Sequence, residues 1–192
     1  MAKACQSCVL LVDDDPAIRD LLSRYLEKTG LEAIHAEDGI DALRKLRDKL
    51  PKVIISDLQM PRMSGFEFIG VVRRRFPTIP VIALSGSIPD ELPAETKPDR
   101  WFEKRVERLP DLVRIVHELA RTVPDHIDLP QVVPTPVRLR SGFAGYFILT
   151  CTECLRKFRT TTTPGNKAVE GNAVCTHCEA RVPFLIESSD PD

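Results

Sequence analysis

Short apolar runs in the first 104 residues each deliver a polar side chain suited to phosphoryl chemistry. Val9-Leu10-Leu11-Val12 leads into Asp13-Asp14-Asp15, and Val53-Ile54-Ile55-Ser56 into Asp57. Val81-Ile82-Ala83-Leu84 leads into Ser85, and Trp101-Phe102-Glu103 into Lys104. Runs of this length bounded by turn residues read as buried strands. In an open parallel sheet, ligands gather at the carboxyl ends of the strands where the strand order switches. The carboxylates, the hydroxyl and the ammonium group would then share one crevice. There a carboxylate can attack a phosphoryl group, provided that positive charge offsets the repulsion between two anions.

A second set of chemical residues lies near the C-terminus. Cys151-Thr152-Glu153-Cys154 and Cys175-Thr176-His177-Cys178 are two C-x-x-C knuckles with 20 residues between them. Two such knuckles can close a tetrahedral zinc shell of four thiolates with no open position, so the expected metal role is structural. His177, between two cysteines of one knuckle, reads as an exposed loop histidine. A third C-x-x-C, Cys5-Gln6-Ser7-Cys8, is half a site by itself. It reads as a disordered end followed by a buried strand cysteine, in preference to a redox or metal role. The basic runs Arg156-Lys157 with Arg159 and Arg73-Arg74-Arg75 read as solvated faces, since one basic patch beside one aromatic is a weak nucleic-acid signal.

The elements that position these residues alternate between strand and helix. Ile18, Leu21, Leu22, Tyr25 and Leu26 recur at helical spacing and Gly30 stops that helix. Leu31 to Ala36 is a short strand. Ala42, Leu43, Leu46 and Leu50 mark a second helix ended by Pro51, and Phe66, Ile69, Val72 and Phe76 a third ended by Pro77. Pro110 opens a last helix carrying Leu112, Ile115, Val116 and Leu119. Such alternation predicts an α/β fold with a parallel sheet covered on both faces. Between Ser85 and Trp101 the rhythm fails: Pro89, Pro93 and Pro98 leave room for one helical turn or an irregular loop. Four prolines in residues 123–140 mark a linker whose apolar residues pack partly on the first domain. The expected division is a domain at 1–122, the linker at 123–140, a small domain at 141–187 and a tail at 188–192. Short strands are expected at Tyr146–Leu149, Lys157–Thr162 and Val182–Ile186.

The chain has 192 residues, 43 % hydrophobic and 29 % charged, with a formal net charge of −1. This balance gives no general attraction to nucleic acid or anionic membrane. No apolar stretch approaches a membrane span, and the N-terminus is too polar for a secretory signal. The expected location is a reducing cytoplasm, where cysteines serve metals more readily than disulfides.

Asp57-Leu58-Gln59-Met60-Pro61-Arg62-Met63-Ser64-Gly65, with Asp13-Asp14 upstream and Ser85 and Lys104 downstream, resembles the receiver domain of two-component response regulators. The resemblance covers about residues 8–122. It implies a flavodoxin-like, doubly wound five-stranded parallel sheet of order 2-1-3-4-5 whose fourth helix is degraded here. It implies that Asp57 accepts a phosphoryl group and that Mg²⁺ is held by Asp13, Asp14, Asp57 and the carbonyl of Gln59. Lys104 would pair with the phosphoryl oxygens and Ser85 would hydrogen-bond one of them. Trp101 stands where the family carries a switching aromatic, and reads equally as a static aromatic. Arg105 follows Lys104 where the family usually has a proline in a cis peptide, so the loop either aims the lysine differently or relaxes to trans. The C-terminal unit resembles a zinc ribbon, too small to be secure without its metal.

The expected function is a response regulator that is not an enzyme in its own right. A histidine kinase or phosphotransfer protein donates the phosphoryl group, and the ribbon acts as an output or docking module for protein more readily than nucleic acid. A homodimer is possible, although the degraded fourth helix falls on the surface that receivers use for dimerisation. One alternative is a constitutive scaffold with a silent receiver. Another is a phosphatase using Asp13 and Asp15 as nucleophile and acid, which would need a further acidic motif after Lys104.

Overall fold

The computed structural model describes residues 3–5, 7–86, 97–124, 137–140, 146–161 and 169–187. The chain forms two compact units, residues 1–129 and 130–192. The first runs β1 (Lys3–Ala4), β2 (Cys8–Val12), α1 (Pro16–Glu27), β3 (Glu32–Ala36), α2 (Gly39–Asp48), β4 (Lys49–Leu50), β5 (Val53–Asp57), α3 (Gly65–Arg75), β6 (Val81–Ser85), β7 (Arg100–Glu103) and α4 (Leu109–Thr122). Five strands make a parallel sheet ordered β3-β2-β5-β6-β7. Counting those five alone, this is the 2-1-3-4-5 order that the sequence implied.

Side chains alternate across each strand, so the continuous apolar runs face helices on both sides. Val9, Leu11, Ile55, Ile82, Leu84 and Phe102 bury one face together with Leu22 and Leu26 of α1 and Leu112 and Val116 of α4. The remaining helices, α2 and α3, pack together and bury Leu43, Leu46, Phe68, Ile69 and Val72. The buried aromatic of α3 is Phe68; Phe66, which the spacing selected, is only half-buried.

Local signals fix where the helices start. Asp15 caps α1 by accepting the Ala17 amide hydrogen, ahead of Pro16 in the first turn. Asp38 caps α2, and Ser64 with Glu67 forms a capping box on α3. Gly30, at φ +84°, closes the turn after α1.

Three expectations are corrected. Residues 3–5 are not a disordered end: β1 pairs in parallel with β4, and Cys5 is joined to Cys8 by a disulfide. Leu50 lies in β4 and not in the second helix, because Cys5 N–H takes its carbonyl from outside. Residues 137–140 leave the linker and form β8 (Val137–Arg140), a strand of the second unit. The proline-rich segment 87–96 and most of the linker fall outside the described residues.

In the second unit β9 (Phe147–Thr150) and β10 (Lys157–Thr160) form an antiparallel hairpin. β11 (Val169–Val174) pairs antiparallel with β12 (Arg181–Glu187), whose other edge takes β8 in parallel. Its buried apolar side chains among the described residues are few: Leu149, Phe158, Ala173, Ala180, Val182 and Phe184.

Candidate functional site

Register brings the acidic residues together. Val12 of β2 lies opposite Ser56 of β5, so Asp13 and Asp57 emerge side by side at the carboxyl end of the sheet. Asp57 faces Leu84 and Ser85 faces Glu103, which places Ser85 and Lys104 on the next two strand ends. The Lys104 amide donates to the Ser85 carbonyl at 3.1 Å.

Asp13, Asp14 and Asp57 each offer a carboxylate oxygen within 4.8 Å of the others. Asp13 and Asp57 are buried, and Asp14 is exposed at the rim. Lys104 Nζ sits 2.8 Å from Asp57 Oδ2 and 2.9 Å from Asp13 Oδ2. The contact to Asp13 Oδ2 is an ion pair without hydrogen-bond alignment, so that buried oxygen has no aligned donor. Burial pushes the Asp13 carboxyl above the ordinary carboxylate range, against the opposing pull of Lys104 and the Asp15 amide. Burial also disfavours the charge on Lys104, but its close contacts with the Asp57 and Asp13 carboxylates outweigh it and raise the ammonium pKa above its ordinary value.

The backbone around Asp57 is held tightly. Leu58 N–H donates to Asp57 Oδ1 at 2.7 Å, and Ser56 Oγ donates to the Asp57 carbonyl at 2.8 Å. Gly65 starts α3 so close to this strand end that a Cβ on it would lie 2.0 Å from the Asp57 carbonyl oxygen. Arg62, at φ +59°, ties the intervening loop to Glu37 and to the fully buried Asp38. Sequence reasoning gave Arg62 no role, because its partners Glu37 and Asp38 lie 24 and more residues away.

An oxygen-rich pocket with a buried carboxylate oxygen lacking an aligned donor suits a hard divalent cation such as Mg²⁺. Asp13, Asp14 and Asp57 fit that role. Gln59 is exposed two residues beyond Asp57, and its carbonyl remains an expectation. Ser85 is half-buried at the sheet end, and Trp101, half-buried, lies opposite Ala83 in the middle of β6. There is no cis peptide among the described residues, so Lys104 precedes Arg105 in trans and still reaches both aspartates. Asp15 is committed to capping α1, and neither Glu107 nor Asp111 belongs to the acid cluster.

A model of the response regulator receiver domain matches residues 9–96. The chemotaxis response regulator CheY4 of Vibrio cholerae is 34% identical with a TM-score of 0.52, over 57% of this chain and 98% of that one. The chain belongs to the response regulator receiver family. The response regulator TrrA of Thermotoga maritima, solved in complex with Mg²⁺-BeF, is 30% identical with a TM-score of 0.55, over 59% of this chain and 98% of that one. Transcriptional regulatory protein GlrR of Escherichia coli K12 is 33% identical over 147 residues, covering 60% of this chain. The chain spans only 33% of the length of GlrR. Receivers of this family serve two-component signalling, taking phosphoryl groups from histidine kinases. No helix among the described residues is long and apolar enough to cross a membrane.

The second site is the thiol cluster. Cys151, Cys154, Cys175 and Cys178 are all buried and unpaired by disulfides. Cys151 and Cys178 sulfurs lie 3.6 Å apart, Cys154 and Cys175 sulfurs 3.7 Å. A tetrahedral ion with Zn–S bonds of about 2.3 Å requires sulfur separations of about 3.8 Å. The two knuckles have the same local form. Leu155 and Cys151 share a backbone hydrogen bond, as do Glu179 and Cys175, and Leu155 and Glu179 both take positive φ. Cys154 favours the Cys151 thiolate, but Cys178 and burial prevail and push Cys151 up to about 11. Cys154 is raised further by Cys151, Cys178 and burial. Four buried thiols at these separations are suited to a soft-ligand cation that replaces their protons. His177 is exposed and reaches the Lys157 carbonyl, outside the cluster.

Proposed function

We propose that this chain is a response regulator whose Asp57 accepts a phosphoryl group and whose C-terminal unit is a zinc-stapled docking module. The observation that carries the first part is the convergence of Asp13, Asp14, Asp57 and Lys104 at one sheet end.

In this reading a phosphohistidine presents its phosphorus to an Asp57 carboxylate oxygen. A P–O bond forms to Asp57 as the donor P–N bond breaks, and the leaving imidazole keeps the electron pair of that bond. Mg²⁺ bound by Asp13, Asp14, Asp57 and the Gln59 carbonyl would supply the charge that lets two anions meet. Lys104 already holds a positive charge against Asp57 and is placed to follow the phosphoryl oxygens. Leu58 N–H fixes the carboxylate orientation, and the Ser85 hydroxyl is the nearby donor for a phosphoryl oxygen.

The docking partner is read as protein. Phe158, the aromatic next to the basic run, is buried and so cannot stack on a base. Exposed Ile148 and Val174 instead offer apolar contact beside Arg159 and Arg181, their respective cross-strand neighbours.

Incubation of the full chain with acetyl phosphate and Mg²⁺, followed by intact mass, tests the receiver part. One added phosphoryl group is expected on the wild type and none on Asp57→Ala. An unmodified wild type would favour the constitutive scaffold.

A further inference from the structure

The Cys5–Cys8 pair lies outside both sites described above and has a built environment of its own. Its sulfurs are bonded across a Cα–Cα distance of 5.5 Å. Cys8 opens β2 and is fully buried, whereas Cys5 on the N-terminal strap is half-exposed. Glu32 Oε2 lies 3.4 Å from Cys8 Sγ, and its other oxygen pairs with Lys49 at 2.7 Å. We propose that Cys5–Cys8 is an exchangeable thiol–disulfide couple, with Cys5 the sulfur that a dithiol partner attacks and Glu32 the base that serves Cys8.

Three observations favour exchange over a passive staple. A disulfide that closes so short a loop removes little unfolded-state entropy. Backbone bonds already hold both residues: Cys5 N–H donates to the Leu50 carbonyl, and Lys52 N–H to the Cys8 carbonyl. The four other cysteines form no disulfide, and in surroundings that keep thiols reduced a persistent disulfide is one that turns over.

A thiolate of the dithiol attacks Cys5 Sγ, forming a mixed disulfide while the Cys5–Cys8 bond breaks. Cys8 leaves as thiolate and takes a proton from solvent, then hydrogen-bonds Glu32. The second thiolate of the partner attacks its own sulfur in the mixed disulfide, closing the partner's disulfide and releasing Cys5, which is protonated. Two electrons and two protons pass from the dithiol to the protein. On reoxidation by a disulfide partner, Glu32 accepts the Cys8 proton so that Cys8 can attack the mixed disulfide at Cys5.

The place of this couple gives it reach. Lys52, bonded through its amide to Cys8, is itself buried and donates Nζ to the Val123 and Pro124 carbonyls at 2.8 and 3.1 Å. Opening the couple therefore acts next to the residue that anchors the exit of α4.

The test equilibrates the zinc-loaded full chain in a series of reduced-to-oxidised dithiothreitol ratios, then alkylates and maps the N-terminal peptide by mass. The peptide is expected to pass from linked to doubly alkylated in one two-electron step while the chain stays folded. Cys8→Ser should leave Cys5 open to a stable mixed disulfide, and Cys5→Ser should leave Cys8 unreactive. Glu32→Gln should slow reclosure about tenfold. Alkylation of both cysteines at every ratio would overturn the proposal, as would a bond that opens only on unfolding. Equal reactivity of the two single variants would also overturn it.

Discussion

The acid pocket and the thiol cluster set the same electrostatic problem in different surroundings. Each gathers groups that become anionic at a point where only a cation makes the gathering favourable. The acid pocket carries its own cation: Lys104 lies within 2.9 Å of both Asp13 and Asp57, on a sheet buried from two sides. In the second unit the apolar core around the thiols, among the described residues, is small. The first site can therefore be preorganised without a metal, whereas on the proposed reading the second would depend on a bound ion for its structure.

Removing zinc is the strongest way to break this comparison. A chelator is expected to abolish amide protection between Phe147 and Glu187, a loss on the order of 10 kcal/mol of metal-linked stability, and to leave β2, β5 and β6 protected. Equal loss in both units, seen by hydrogen exchange, would erase the distinction. The next effect is steric. Gly65→Ala places a methyl group against the Asp57 carbonyl and should destabilise the receiver by about 3 kcal/mol in urea denaturation, with no change in the second unit.

A smaller effect separates preorganisation from stability. The Asp13 carboxyl is raised by burial, so the folded state holds that proton more firmly than the unfolded state. Its cost to stability appears as pH rises from 3.8 through the raised folded value. Asp13→Asn should then make the cation-free receiver more stable at neutral pH, by about 1 kcal/mol, while weakening stabilisation by Mg²⁺. The smallest effect concerns Lys104. Its folded pKa lies above the ordinary 10.5, so its contribution is complete below 10.5 and is lost as pH climbs through the folded value. Wild type and Lys104→Met should show unequal stabilities below that window and converge above it in a series of denaturant titrations.

Much of the receiver was legible because its strands are unbroken apolar runs ending on the residues that matter. Val9–Val12, Val53–Ser56 and Val81–Leu84 fix both the sheet and the placement of Asp13, Asp57 and Ser85. The four cysteines were legible because two C-x-x-C knuckles leave few other geometries. What the sequence hid depends on contacts distant along the chain. Leu50 continues a helical pattern, yet the strap at Lys3–Cys5 takes its carbonyl into a strand pair. Val137–Arg140 looks like linker because its partner, Phe184–Glu187, lies more than forty residues later. Phe66 and Phe68 are two residues apart on one helix, and packing against α2, not spacing, decides that Phe68 is buried. The Arg62 tie to Asp38 likewise crosses from one loop to another.

Phosphoryl transfer to the receiver is expected to turn Asp57 into an acyl phosphate. Borohydride reduction after exposure to acetyl phosphate and Mg²⁺ tests it at the residue itself, because reduction of the acyl phosphate turns that aspartate into homoserine. Homoserine is expected at position 57, dependent on Mg²⁺ and absent from Asp57→Asn. Homoserine at another aspartate, or an unreduced Asp57 under conditions that phosphorylate a receiver domain run as a positive control, would contradict that outcome.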